Sequence, residues 1–213
     1  CYLVPEILSD EEAVMIEPTT IAVQCCSRAE LESEDTVMII GSGALGSSIL
    51  RIVKLYNPKA IIVTDIDDAK LEEAKKNGAT YTINSLKEDV PAKAHELTDG
   101  YGPTVTIDAA CVKGSLLTAL QATGNAGRVI TMGFSVAPTE VNQFVITSKE
   151  LDVRGSRLQN RKFQDVIDLV NEGKVDLRGS ISHTWNFEDA QAAFDFVDSR
   201  DPSYRKGVLT FKK

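Results

Sequence analysis

Gly41-Ser42-Gly43-Ala44-Leu45-Gly46 sets three glycines at the spacing of a phosphate-binding turn. In such a turn each glycine has a separate task. Gly41 lets the chain leave a strand sharply, Gly43 removes the Cβ that would hold a pyrophosphate off the backbone, and Gly46 lets the next helix pack close to a sheet. Ala44 and Leu45 open that helix, whose unpaired N–H groups and positive dipole end attract phosphate. Asp65 follows 19 residues past Gly46, about where a carboxylate accepts hydrogen bonds from ribose hydroxyls. This spacing implies dinucleotide binding. The bland alternative is an ordinary glycine turn with Asp65 capping a helix.

Flanking elements must hold these groups. Residues 36–40 have strand character and lead into Gly41. Ile49, Leu50, Ile52 and Val53 form the apolar side of the following helix, and residues 60–64 are a second apolar run ending at Asp65. The alternation continues. Residues 67–77 read as a helix stopped by Asn77-Gly78, 81–83 as a third strand, and 85–99 carry helical signals with Pro91 in a first turn. Residues 105–108, 128–133 and 151–155 read as three further strands, with a helix over 113–123. The fold class expected is α/β: a doubly wound six-stranded parallel Rossmann sheet, order 3-2-1-4-5-6, with extra C-terminal helices and a strand. Its ligand would lie at the carboxyl ends of the strands, where Asp65, Asp108 and Gly133 fall.

Outside that block, Ser9 and Glu12 suggest a capping box, Pro18 an interruption, and residues 19–29 a helix with one apolar side. Phe163, Val166, Ile167 and Val170 lie at helical spacing. Asn186 can cap a helix whose apolar side is Ala190, Ala193, Phe194 and Val197, and residues 207–211 read as a last strand. This tail should pack outside the Rossmann core or belong to another domain.

A net charge of −8 over 213 residues offers no basic face for nucleic acid. Apolar runs fall short of the roughly twenty residues of a membrane span, and no signal-peptide pattern is visible. Of the four cysteines, Cys25 and Cys26 are adjacent and no Cys-x-x-Cys occurs. They read as reduced, mostly buried thiols of a cytoplasmic protein.

Four stretches together resemble the medium-chain, zinc-type alcohol dehydrogenases: Glu17-Pro18 ahead of a helix, Val37 through Gly46, Leu71 through Ala79, and the ending Lys206-Gly207-Val208-Leu209-Thr210-Phe211. The similarity is closest to the polyol and sugar-acid branch of sorbitol, threonine and L-galactonate-type dehydrogenases. It implies a two-domain enzyme, with a GroES-like catalytic domain that holds zinc, a Rossmann domain, and a return to the catalytic domain. The chain matches only from the end of the first part onward. The resemblance therefore implies an NAD-binding domain over 18–157, with 1–17 and 158–213 as remnants of the catalytic domain. The N-terminal part that carries the family's Cys and His-Glu zinc ligands is absent, so no catalytic residue is expected here and the piece alone should be inactive. In the intact enzyme the implied reaction is hydride transfer between a secondary alcohol, a polyol or sugar acid, and NAD, with zinc polarising the oxygen. Alternatives are a non-catalytic nicotinamide-nucleotide-binding module and an NADPH-dependent quinone-reductase-like member. Asp65 and Glu17 argue against the latter.

The resemblance also implies roles. Asp65, with Ile66 beside it, binds the adenosine ribose and favours NAD over a 2′-phosphate. Lys70 lies along the adenine, and Ala109 and Ala110 line the adenosine pocket. Met132, Gly133 and Phe134 approach the nicotinamide. Arg157 and Lys206 approach the cofactor phosphates or nicotinamide ribose. Glu17 matches a Glu at the catalytic zinc, although its own surroundings read as an exposed or helix-capping Glu without partner ligands. Zinc is therefore not expected to bind this piece. Residues 151–155 are the expected homo-oligomer strand. His183 reads as a packing or capping histidine, and His95 as a solvated one. Leu3, Val4, Trp185 and Leu209 are candidates for surface that the absent domain would cover.

Overall fold

The computed structural model describes residues 1–199, 201 and 203–211. The chain opens with α1 (Asp10–Ala13), and the capping box is present. Ser9 Oγ accepts from the Glu12 N–H, and the Glu12 carboxylate accepts from the Ser9 N–H. Next is α2 (Ile16–Ala29). Pro18 does not interrupt it: Pro18 lies in the first turn, where no intrahelical partner awaits its missing N–H.

The glycine block then follows the expected alternation: β1 (Thr36–Ile40), α3 (Ala44–Val53), β2 (Ala60–Asp65), α4 (Asp68–Lys76), β3 (Tyr81–Asn84), α5 (Val90–Glu96), β4 (Val105–Asp108), α6 (Ser115–Ala122) and β5 (Arg128–Thr131). After these come α7 (Gln143–Thr147), β6 (Asp152–Gly155), α8 (Phe163–Asn171), β7 (His183–Asn186), α9 (Ala190–Asp198) and β8 (Gly207–Thr210). The helical signals over 85–99 shrink to α5, because Asp89 caps it through the Ala92 N–H and Asn84 Oδ1 turns the preceding backbone by accepting from the Leu86 N–H. Such side-chain oxygens compete with helical hydrogen bonding and so set where a helix begins. The sequence reading missed α7, which is only 5 residues long and capped by Asn142. It also missed β7, which pairs in parallel with β8 in a small separate sheet.

The main sheet is parallel throughout, in the order β3-β2-β1-β4-β5-β6, as the sequence implied. Side chains of β1 alternate between its two faces with the period of a strand. Val37 and Ile39 join the core under α2, α3 and α8, while Met38 and Ile40 join the core under α5 and α6. Val166, Ile167 and Val170 of α8, with Val175 and Leu177 after it, belong to the first of these cores. The tail beyond Gly155 therefore divides. Its first helix closes one face of the sheet, because its apolar stripe has that face to bury, and the β7–β8 unit lies beyond it.

One polar network ties α2 to the sheet. Asp35 Oδ1 accepts from Arg128 Nη2 at 2.5 Å and from Thr104 Oγ1 at 2.7 Å, while Oδ2 accepts from the Glu32 N–H at 2.8 Å. Arg128 Nη1 also donates to the Ala29 carbonyl at the end of α2 at 2.8 Å. The two charged side chains are only 19% and 7% exposed. Removing one partner from such a pair leaves a charge that water reaches poorly. Asp35→Ala is expected to lower unfolding stability by about 3 kcal/mol. Denaturant titration checks this, and a loss below about 1 kcal/mol would mean that solvent already screens the pair.

Cys25 and Cys26 are buried, whereas Cys1 and Cys111 are exposed. The expectation of mostly buried thiols therefore holds for half of them. Burial, with a smaller contribution from Cys111, pushes the Cys25 thiol up to about 12 from an ordinary 9.0. Burial, then Cys25, raises Cys26 as well. Above about pH 9 the unfolded chain ionises these thiols while the folded one keeps them protonated. Their contribution to stability is thus complete below that pH and is lost as pH climbs toward 12. The unfolding free energy is expected to fall by up to about 1.4 kcal/mol per pH unit per thiol in that window. Denaturant titrations on both sides of it check this, and the slope should become shallower in Cys26→Ala.

Candidate cofactor site

The carboxyl ends of β1, β2 and β4 open into a cleft of about 730 Å³. Gly41, Gly43, Asp65, Ile66, Lys70, Ala109 and Ala110 all line it, which brings together the glycine turn, the acid and the adenosine-side residues. The turn is built as its residue types require. Gly41 sits at φ +95°, and a Cβ there would come 3.0 Å from the Ala110 nitrogen. A Cβ on Gly46 would stand 1.9 Å from the Gly41 carbonyl oxygen. The close approach that Gly46 permits is therefore chiefly to the turn itself, with the sheet residue Ile39 farther off at 3.8 Å. Gly43 is different: a Cβ there would meet nothing within 4 Å. The open space over its backbone is the cradle a phosphate needs, ahead of the first N–H groups of α3.

Asp65 is fixed by backbone donors. Its Oδ2 accepts from the Ser42 N–H at 2.7 Å, and its Oδ1 from Ile66 and Asp67 N–H at 2.8 and 3.1 Å. The helix-capping alternative fails for this residue, because Asp67 caps α4 through the Ala69 N–H. Each Asp65 oxygen retains acceptor capacity toward the cleft. Ile66 beside it is exposed and offers a flat apolar surface.

The remaining expected residues disperse. Ala44 is exposed at the start of α3, and Leu45 is half-buried against the core. Met132 is buried in the core, so it lies beneath the site. Gly133 lines a neighbouring cavity of about 490 Å³ with Asp108 and Cys111. Phe134 is exposed, and the Arg157 guanidinium lies over its ring at 5.2 Å. Arg157 thus faces an aromatic ring and does not line the main cleft. Lys206 lines a third, smaller cavity with Ala44 and Ser47.

Sequence reasoning missed several groups. The Ser42 N–H orients Asp65, and Val90, Val112, Lys113, Thr118 and Gln121 complete the cleft wall. The rule that ligands sit beyond the carboxyl ends of strands points at the β4–α6 turn, where Val112 and Lys113 lie, and at the start of α5, where Val90 lies, while Thr118 and Gln121 stand on α6. Asp108 holds the second turn in place: its oxygens accept from Ser115 Oγ at 2.7 Å and the Cys111 N–H at 3.0 Å. Ser156 Oγ, just past β6, is buried without a hydrogen-bond partner among the described residues.

Glu17 is exposed on the first turn of α2. A zinc site takes three or four donors, and among the described residues no group of three or more His, Cys, Asp or Glu is placed to hold a metal. The residues present thus do not fit zinc. His95 departs from the solvated reading: it is half-buried, with Nδ1 3.0 Å from the Gly100 carbonyl oxygen. His183 is a packing residue, with its ring 4.7 Å from that of Phe196 and 5.4 Å from that of Trp185. No helix among the described residues is long and apolar enough to cross a membrane.

Residues 44–172 match the family model described as zinc-binding dehydrogenase. The starvation-sensing protein RspB of Escherichia coli K12 is 37% identical over 213 residues, covering 100% of this chain and 62% of its own length. Sorbitol dehydrogenase of Bacillus subtilis is 29% identical over 195 residues, covering 91% of this chain and 55% of its own. The solved structure of a short chain alcohol dehydrogenase (rspB) from E. coli CFT073, complexed with cofactor NADH, superposes with a TM-score of 0.90 at 38% identity, covering 99% of this chain and 62% of that one. This chain thus spans less than two thirds of the length of these curated relatives. The glycine turn, the six-stranded order and these matches agree: the chain belongs to the zinc-binding dehydrogenase family.

Proposed function

We propose that this chain is the NAD-binding part of a zinc-type dehydrogenase that moves a hydride between a secondary alcohol, such as a polyol or sugar acid, and the nicotinamide. The observation that carries this reading is Asp65, held at the cleft edge by the Ser42 N–H at 2.7 Å opposite an uncovered Gly43. A phosphate over Gly43 and a ribose at Asp65 suit the two ends of one adenosine diphosphate. A 2′-phosphate at Asp65 would meet a fixed carboxylate. The NADH in the related rspB structure supports the same cofactor, and the sorbitol dehydrogenases among the relatives support an alcohol of this class.

The assignment of 18–157 to the cofactor domain, and of 1–17 and 158–213 to the returning catalytic part, remains our reading of how the chain belongs to the longer enzyme, with α8 of that part packed on the cofactor domain. Zinc belongs to the intact enzyme in this reading. The unpaired thiols suit a reducing cytoplasm. β6 is an end strand of the sheet with Val153 partly exposed, and an uncovered edge of this kind supports pairing with a second copy.

Parallel fluorescence titrations with NADH and NADPH test the cofactor reading. NADH is expected to bind at least about tenfold tighter, the worth of one charge-assisted hydrogen bond set. Equal affinity, or a preference for NADPH, would overturn the role given to Asp65.

A further inference from the structure

Asn77-Gly78 is the only Asn-Gly pair in the sequence. It stands at the end of α4, with both residues exposed. In such a pair the backbone nitrogen of the glycine can attack the asparagine carboxamide carbon, and no side chain on the glycine blocks the approach. The Asn77 carboxamide has no hydrogen-bond partner among the described residues. Lys54 lies against the same peptide: a Cβ built on Gly78 would come 2.8 Å from Lys54 Cε and 3.0 Å from its Nζ. No ion pair among the described residues includes Lys54. Its ammonium therefore faces the peptide without a carboxylate paired to it.

One bond restrains the attacking nitrogen. The Gly78 N–H donates to the Lys75 carbonyl at 3.1 Å, in the last turn of the helix. Helix ends open at little cost in free energy, and opening this turn frees the nitrogen. An adjacent ammonium then stabilises the negative charge that develops on the nitrogen and on the carboxamide oxygen. Asn84 is the contrast. Its Nδ2 donates to Asp68 Oδ1 at 2.6 Å and to the Ile66 carbonyl at 3.3 Å, and its Oδ1 accepts from the Leu86 N–H at 3.0 Å. Asn57 precedes Pro58, whose nitrogen has no proton to lose.

We propose that Asn77 is a site of spontaneous deamidation, assisted by Lys54. The Gly78 nitrogen forms a bond to Asn77 Cγ and gives its proton to solvent. The Cγ–Nδ2 bond breaks, and Nδ2 takes up a proton and leaves as ammonia. Water then opens the succinimide ring at either carbonyl, which yields aspartate or isoaspartate with no change of oxidation state. The new carboxylate gains the Lys54 ammonium as a partner, and isoaspartate lengthens the main chain in the turn that leads into β3.

Incubation of the folded chain in mildly alkaline buffer, then tryptic digestion and tandem mass spectrometry, tests this. Cleavage after Lys76 and Lys87 leaves Asn77 and Asn84 in one peptide. The acid is expected at residue 77 and not at residue 84, and Lys54→Gln is expected to slow its appearance about fivefold. Lys54 is exposed, and a thermal melt establishes that the variant is folded. If Asn77 stays intact while the urea-unfolded chain converts, α4 protects it and the proposal falls. Equal conversion at Asn84 would place the reaction in the unfolded chain and overturn it as well. So would an unchanged rate in Lys54→Gln.

Discussion

Asp65→Asn is expected to weaken NADH binding by about ten- to a hundredfold and to raise the NADPH-to-NADH affinity ratio. The reason is the way the side chain is held. Three backbone N–H groups, of Ser42, Ile66 and Asp67, donate to its two oxygens. A carboxylate satisfies all three and still has lone pairs for ribose hydroxyls. An asparagine amide has one oxygen and one NH₂, so whichever way it turns, a donor faces a donor. The variant loses charge-assisted bonds worth about 1.5–3 kcal/mol and also loses the preset orientation. Removing the negative charge at the same time lifts the repulsion that a 2′-phosphate would meet. Fluorescence titration with both nucleotides reads the two effects. If NADH affinity is unchanged, Asp65 does not touch the ribose.

The glycine turn gives the second large effect, as a contrast between two similar changes. Gly46→Ala places a methyl 1.9 Å from the Gly41 carbonyl oxygen. Backbone on both sides leaves nothing flexible to move, so the turn must distort, and the expected destabilisation is about 3 kcal/mol or more. Gly43→Ala meets nothing within 4 Å, and its φ of −70° suits an L residue. Its unfolding stability should stay within about 0.5 kcal/mol of the parent chain. The methyl would nevertheless occupy the space over the phosphate cradle, so NADH affinity should fall at least about tenfold. Thermal melts and NADH titrations on the two variants check this. Intact NADH binding in Gly43→Ala would place the phosphates elsewhere.

The division between sequence and structure follows from the range over which each residue acts. Gly41, Gly43 and Gly46 announce the turn because their constraints lie within 6 residues of chain. The parallel sheet order is legible because apolar runs alternate with helical ones, and right-handed crossovers leave few ways to arrange them. Pro18 and the 85–99 run were misjudged for local reasons, since a first-turn proline and side-chain oxygens near Asp89 shift a helix boundary without changing the apolar pattern.

Phe134 and Arg157 could not be paired from the sequence, because a ring and a guanidinium 23 residues apart meet only through the sheet. The same holds for Lys206 and Ala44, which line one cavity from opposite ends of the chain. By itself the sequence determined the fold class, the glycine turn and the acid that shares its cleft, because short-range sterics and periodicity encode them. Only the tertiary structure decided that the Ser42 N–H reaches Asp65 and that Met132 lies beneath the site. Each of these depends on distances between residues far apart in the chain, which no spacing along it records.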